Sequence, residues 1–394
     1  MNIYKIKDIV SFQNGFAFNS KDMGPTGTNI IKIKEVKNNK ITITESTQKI
    51  SNYDYDSMKK YLVNYNDILI ALTGDPTNKG SEESWVGRTA IYREKECALL
   101  NQRMCKIIPN TKYILPKYLY YYLISYPTLY TLASSAKGSA NQANISHKDV
   151  GELDIALPSI EMQQHIVDII GSLDNKIENN NKIIEKLQRK IDFIFNQFYN
   201  NMLESNIFIK CKLKEYAKKI ITGTTPSTKE DKYWGNSIDF ITIPDMQNNV
   251  YILDTIRKLS TECEKNFNNR IVPKNSIAIS CIATVGLVSI IPHNAITNQQ
   301  INSVIFNDEN DCYYFYELFK TMKENLIKLG SGGSATLNIN KNIFSNIEVI
   351  VPYKNEMEQF CKKTNSLFEL ILSLTKENTK LNDLKQLYLK KFFG

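Results

Sequence analysis

Two stretches have the glycine spacing of a phosphate-binding loop, and neither has the context of one. Residues 74–81 read GDPTNKGS, but Lys79 precedes the last glycine, the wrong order for setting a lysine beside a bound phosphate. Residues 330–335 read GSGGSA, a formal G-x-G-x-x-A match. No parallel strand leads into it, no helix opens from it and no acidic residue follows at βαβ spacing, so it reads as a flexible turn. Nucleophilic catalysis has little to work with: the only histidines are His147, His165 and His293, none beside a serine or cysteine in a recognisable arrangement. The seven cysteines (97, 105, 211, 263, 281, 312 and 361) are odd in number, scattered and without a C-x-x-C pair. They read as reduced, buried thiols and not as zinc ligands or a disulfide framework. An adenine-methylating Asn-Pro-Pro-Tyr or Asp-Pro-Pro-Tyr site is absent, since Asp75-Pro76 runs into Thr77. No catalytic residue, metal site or cofactor is expected in this chain, which leaves recognition and assembly.

The elements that carry such recognition come in two copies. YKIKDIV (4–10) resembles CKLKEYA (211–217), NDILIAL (66–72) resembles NSIAISC (275–281), and LNQRMCKI (100–107) resembles TNQQINSV (297–304). Tyr118, Tyr120, Tyr121 and Tyr122 are matched by Tyr313, Tyr314, Phe315 and Tyr316. GSANQANISHKDVGELDIALPSIEMQQ (138–164) returns, shortened, as GSATLNINKNIFSNIEVIVPYKNEMEQ from Gly333. Order kept while the offset drifts marks a tandem duplication with unequal loops. Short β-rich runs such as NIIKIKEV, IDFITIP and SIAISCI, broken by Gly, Pro and Asn, predict a mixed α+β globule over 1–158 and another over 204–353. The tyrosine-rich segments predict amphipathic helices packed on them.

After each globule the pattern changes. Ser159 is placed to cap a helix over 159–203, with Met162 where a full capping box would need Glu or Gln. Ile166, Ile170, Leu173, Ile177, Asn180, Ile184, Leu187, Ile191, Ile194 and Phe198 alternate spacings of four and three, a coiled-coil seam. Residues 354–394 repeat it less regularly with Phe360, Leu367, Ile371, Leu374, Asn378, Leu381 and Tyr388. Each helix would reach roughly 60 Å at 1.5 Å per residue. The seams have an obvious partner in each other. Asn180 and Asn378 would fix register at a cost in stability; alternatively ENNN (178–181), with Gly171, bends or weakens the helix.

Composition sets the outer bounds. The 394 residues are 42% hydrophobic and 23% charged with a net charge of +8, ordinary for a globular chain and mildly favourable to a polyanionic partner. The most apolar run, KYLYYYLISYPTLYTLA, is too short for a membrane span and is broken by Pro127. Lys5, Lys7 and Asp8 occupy the place of a signal-peptide core, so a cytoplasmic location is expected, with no membrane contact.

Taken in order, these blocks resemble the specificity subunit of type I restriction–modification enzymes. KKIITGTTPSTKEDKYWGNSIDFITIPDM (218–246) is similar to that family's Gly-x-Thr-Pro-Ser … Tyr-Trp opening. The Asn101-Gln102 and Asn298-Gln299 pairs, the Asn-Ile pairs, the strands ending at Pro158 and Pro352 and the Glu-Met-x-Gln starts complete the likeness. The first globule departs from it, opening SFQNGFAFNS without Thr-Pro-Ser.

The resemblance implies two target recognition domains, each reading one half of an interrupted double-stranded DNA site. It implies an antiparallel helix pair that sets the gap. Two methyltransferase subunits carrying S-adenosylmethionine would dock there, with restriction subunits using ATP and magnesium, or a methylation-only or phage-defence assembly without a nuclease. DNA contacts are expected from Lys21, Lys79, Arg88, Arg103, Lys137 and Gln142 in the first globule, and from Thr224, Thr225, Ser227, Lys229, Arg270 and Gln299 in the second. Asn101 and Asn298 instead suit a structural role, bonding the backbone at a strand end.

Overall fold

A computed structural model of the chain describes residues 2–79, 82–139, 142–247, 249–331 and 337–394. Residues 80–81 of the GDPTNKGS stretch and 332–335 of the GSGGSA turn lie outside that set. Two compact units emerge, one of residues 1–176 with 381–394 and one of 177–380. Each contains one globule and parts of the two long helices, Ile160–Glu204 and Lys354–Phe393.

The same sheet order appears in both units. In the first, Val10–Asn14, Met104–Pro109, Ile68–Ala71 and Thr89–Ile91 lie side by side; Lys40–Ile41 and Val36–Lys37 extend this sheet. In the second, Lys219–Thr222, Ile301–Ile305, Ser276–Ser280 and Val288–Ile291 repeat the four-strand order. The central strands Ile68–Ala71 and Ser276–Ser280 are buried along their whole length, which is why they read as unbroken runs of apolar and small residues. Each follows an asparagine in the left-handed region (Asn66 at φ 75°, Asn275 at φ 59°), a conformation asparagine tolerates better than most side chains. A second sheet also recurs: Met23–Gly24, Lys49–Ile50, Thr28–Ile31 and Ala98–Leu100 against Trp234–Gly235, Lys258–Leu259, Ile238–Ile241 and Ala295–Thr297. The run NIIKIKEV is strand only to Ile31; Ile33–Glu35 is a 3-10 turn whose Glu35 carboxylate accepts the Lys32 N–H at 3.1 Å. Asp245 does the same for Thr242 at 2.7 Å.

Each globule is closed by its own ends. Asn2–Lys5 pairs antiparallel with Asp154–Leu157, and Phe208–Lys212 with Glu348–Pro352. The tyrosine-rich helices, Pro116–Leu123 and Asp311–Thr321, are core elements: Tyr118, Tyr121, Tyr314 and Phe315 are all buried. Tyr118 donates to the Ala156 carbonyl (3.2 Å) and Tyr314 to that of Ile350 (2.7 Å), tying helix to closing strand in both copies.

The long helices start from well-specified joints. Ser159 Oγ accepts the Met162 N–H at 3.3 Å. Gln163, fully buried, donates to the Tyr113 and Pro158 carbonyls and accepts from the Leu115 N–H, each within 3.1 Å. In the first unit Ile166 and Ile170 share a core with Leu389, and Asp174 accepts from Tyr121 (2.8 Å) and Lys385 (2.6 Å). In the second, Phe198 meets Phe360 at 5.2 Å, while Asn180 donates to Asn378 Oδ1 (2.9 Å) and Asn378 to Asn181 Oδ1 (2.9 Å). Within each unit early positions of one helix meet late positions of the other, so the pairing is antiparallel. Of the two readings of ENNN, the helix continues unbroken through it and Asn180 and Asn378 form a buried polar layer. Ile177 and Ile191 are buried, as is Ile371; Leu173, Ile184, Leu187, Leu367, Leu374 and Leu381 are half-buried. Phe195, Thr364, Phe368 and Leu389 are buried beside them, outside the strict seam.

Asn180→Leu would leave the Asn378 amide oxygen without its donor and cost about 1–3 kcal/mol; pairing it with Asn378→Leu should recover most of that loss in a thermal melt. A second buried group makes the fold pH-sensitive. Glu317, on the Asp311–Thr321 helix, is bonded to Lys320 (2.9 Å), which also contacts Asp192 of the first long helix. Burial pushes Glu317 up to about 8 although Lys320 pulls the other way. The folded chain therefore holds this proton more tightly than the unfolded one. The stability it contributes is present below the ordinary carboxylate value of 4.5 and is lost as pH rises through about 8. Melting temperatures measured from pH 5 to 8.5 should fall less in Glu317→Gln than in the parent.

Candidate nucleic-acid interface

In each globule the chain passes from the first sheet to the second at a glycine. Gly15 N–H donates to Met104 O (3.0 Å) in one sheet, and the next residue, Phe16, donates to Leu100 O (2.8 Å) in the other. Gly223 and Thr224 repeat this with Ile301 O (3.0 Å) and Thr297 O (2.8 Å). A Cβ on Gly15 would lie 2.0 Å from the Asn101 carbonyl oxygen, and one on Gly223 2.0 Å from that of Asn298. Only glycine allows backbones this close.

The partner strand turns there on a buried asparagine. Asn101 Oδ1 accepts the Arg103 N–H (3.3 Å) and Asn298 Oδ1 the Gln300 N–H (3.0 Å), an Asx turn in each copy. Both asparagines are structural, as their position suggested. The next residue, Gln102 or Gln299, is exposed. The repeated frame thus presents one glutamine from each globule, followed by Arg103 in one and Gln300 in the other.

The surroundings of the two tips differ. In the first unit a cleft of about 410 Å3 is lined by Ser20, Lys32, Lys34, Gln48, Gln102 and Arg103, among others. Lys32 contacts Gln48, and Lys34 donates to Ser46 O at 3.0 Å. Burial pulls the Lys32 ammonium below its ordinary value. In the second unit the tip is Thr225 bonded to Gln299. The nearby cations are engaged: Arg257 lies over Trp234 (4.9 Å), and Lys258 bridges Asp239 (2.7 Å) and Asp254 (2.8 Å). Burial works against the Asp239 charge, but hydrogen bonds from His293 and Lys258 outweigh it and hold the carboxyl down at about 2.

The residues singled out from sequence fall into three groups. Arg103, Gln299, Thr225 and, half-buried beside them, Thr224 belong to the glycine-and-asparagine frame. Lys21, Lys79, Lys137, Ser227 and Lys229 are exposed, and Gln142 is half-buried on the strand that pairs with Lys137–Ser139. Arg88 and Arg270 depart from expectation. Arg88 donates through Nη1 to Val36 O (3.1 Å) and Glu83 O (2.5 Å), and Arg270 through Nη1 to Thr222 O (3.0 Å). Both are half-buried, and burial lowers the Arg88 pKa. Both brace the backbone, Arg88 from the residue before the Thr89–Ile91 strand and Arg270 from the Asn268–Arg270 turn. Lys32 and Lys34 were not singled out because KIK alternation resembles a strand with outward lysines, and Gln48 carries no local signal of its place beside them.

Among the described residues no group of three or more His, Cys, Asp or Glu could hold a metal ion, and no helix is long and apolar enough to cross a membrane. All seven cysteines are free, and burial pushes the Cys105 thiol up to about 12 and that of Cys281 to about 11.

The duplication is matched by comparison with known proteins. The family model of the type I restriction modification DNA specificity domain matches residues 1–189 and again residues 209–386. The chain belongs to this family. Among its relatives is the type I restriction enzyme HindI specificity subunit of Haemophilus influenzae, 31% identical over 75% of this chain and 80% of that protein. The MjaIX specificity subunit of Methanocaldococcus jannaschii is 31% identical over 46% of this chain and 43% of that protein. A crystal structure of the type I restriction–modification S subunit of M. genitalium shares the fold, with a TM-score of 0.57 and 13% identity, covering 100% of this chain and 96% of the other. Within the specificity-domain family, this chain carries two copies of the domain on one polypeptide.

Gly223→Ala forces a methyl group into the Asn298 carbonyl and should destabilise the second unit by about 3 kcal/mol or more. Thr225→Ala, at the exposed tip two residues on, should change stability by less than about 0.5 kcal/mol. Chemical denaturation of the two variants checks the contrast.

Proposed function

We propose that this chain is the non-catalytic specificity subunit of a type I restriction–modification complex, each globule reading one half of a bipartite site in double-stranded DNA. The observation that carries the reading is the frame built twice with unlike tips: Gly15–Asn101 and Gly223–Asn298 are alike down to their hydrogen bonds, while the residues they display differ. A shared partner needs the repeated part, and two different half-sites need the part that is not repeated. Affinity comes largely from lysine and arginine against phosphate and is salt-dependent, while sequence choice comes from Arg and Gln at base edges in the major groove.

The helices are the spacer. Their buried Asn180–Asn378 layer gives the pair one register, so the separation of the half-sites follows helix length. Methyl transfer from S-adenosylmethionine belongs to two partner subunits docked on this chain, with the target adenine swung out of the duplex into their pocket. ATP- and magnesium-dependent cleavage belongs to restriction subunits.

Purified alone, the chain should bind DNA without methylating it. Reconstituted with its methyltransferase partner, it should direct methylation to a two-part motif. Inserting seven residues near Asn180 should lengthen the gap and leave both half-sites unchanged. Sequencing methylated DNA reads both outcomes, and altered half-sites with an unaltered gap would rule out the helices as spacer.

A further inference from the structure

Three features of the first unit converge on one cleft, and the second unit has no counterpart to their combination. The Asn101 turn holds Gln102 and Arg103 at its rim, and both side chains are exposed and make no hydrogen bond or ion pair among the described residues. Lys32 and Lys34 line the same cleft. Glu35, buried at 3% exposure, accepts the Lys32 N–H (3.1 Å) and lies 3.5 Å from the Lys34 ammonium, so one carboxylate offsets the three cations that line the cleft. At the equivalent positions the second unit has Thr242 and Pro244 in place of the lysines, and Gln300 in place of Arg103, with its Oε1 accepting from Asn298 at 3.1 Å. The frame is the same and the charge is not.

A guanidinium displayed on a rigid turn offers two parallel N–H donors, which match the O6 and N7 acceptors of guanine in the major groove. Lysines lining the same cleft suit the phosphates flanking such a base, as point charges without base preference. Resting on the proposed reading of the chain as a DNA-specificity subunit, we infer that Arg103 reads a guanine in the first globule's half-site, with Lys32 and Lys34 gripping the flanking phosphates. The second globule's turn, lacking these cations, contributes no guanine contact from the equivalent position. Arg103 is a specificity-determining residue and the two lysines are affinity residues.

The test uses the complete chain in its methyltransferase complex. A wild-type complex with a fixed two-part motif upholds the reading on which the inference rests; absence of any fixed motif overturns that reading itself. Given the motif, Arg103→Gln should reduce the preference for one guanine in one half-site by roughly ten-fold, leaving the other half-site and the gap unchanged. An unchanged motif overturns the inference. Replacing that guanine by 7-deazaguanine, which removes N7, probes the wild-type complex directly and is independent of how well the variant folds. Binding should weaken several-fold, and an unaffected Kd would overturn the assignment. Lys32→Ala and Lys34→Ala should each weaken binding to all sequences and lower the slope of log Kd against log salt by about one. A change of motif in either lysine variant, with none in Arg103→Gln, would transfer the reading role from the arginine and sink the proposal.

Discussion

The contact on which each globule depends is a place where two backbones come closer than any side chain permits. At Gly15 and Gly223 the chain leaves one sheet for the next, and the carbonyl of a buried asparagine fills the space a methyl group would take. Two consecutive N–H groups, one bonded to each sheet, fix the angle between them. The asparagine then spends its side chain on its own turn, so its position is set by backbone geometry and not by whatever it displays. Variation at the rim leaves this joint untouched, which is how one framework carries two different surfaces.

Beyond the joint, the two copies solve the helix attachment differently. In the first, Gln163 saturates three backbone groups at the start of its helix, and Asp174 gathers Tyr121 and Lys385. In the second, aromatic packing does the work: Tyr313 stacks on Phe368 at 4.4 Å, and Phe195 and Phe198 surround Phe360. Polar and apolar joints respond differently to solvent conditions. The Glu317–Lys320–Asp192 group adds a titrating element to the second alone.

The duplication, the α+β class and the helix starts were legible in the sequence, because each rests on local signals: a seam with strict spacing, a capping serine, strands ended by proline. The structural asparagines were legible for the same reason. For Asn180 and Asn378 the sequence left a polar layer and a weakened helix both open, and the fold decides for the layer. Less was legible at the site. Arg88 and Arg270 have the composition of DNA contacts, and only the fold shows which carbonyls they bridge. Lys32 and Lys34 were hidden by a 3-10 turn that continues a strand-like alternation. Phe368 and Leu389 fall outside the heptad because each helix faces a globule as well as the other helix, and one seam cannot describe two contact faces.

The closing strand pairs have a further consequence. Asn2 lies opposite Leu157 and Phe208 opposite Pro352, so each globule begins and ends at the same spot. A segment whose two ends are adjacent can be exchanged between genes as a cassette, with the outgoing and incoming pieces sharing one short ladder as their seam. Exchange at the repeated strand-and-proline blocks would then give new pairings of surfaces while each globule keeps its own closing ladder.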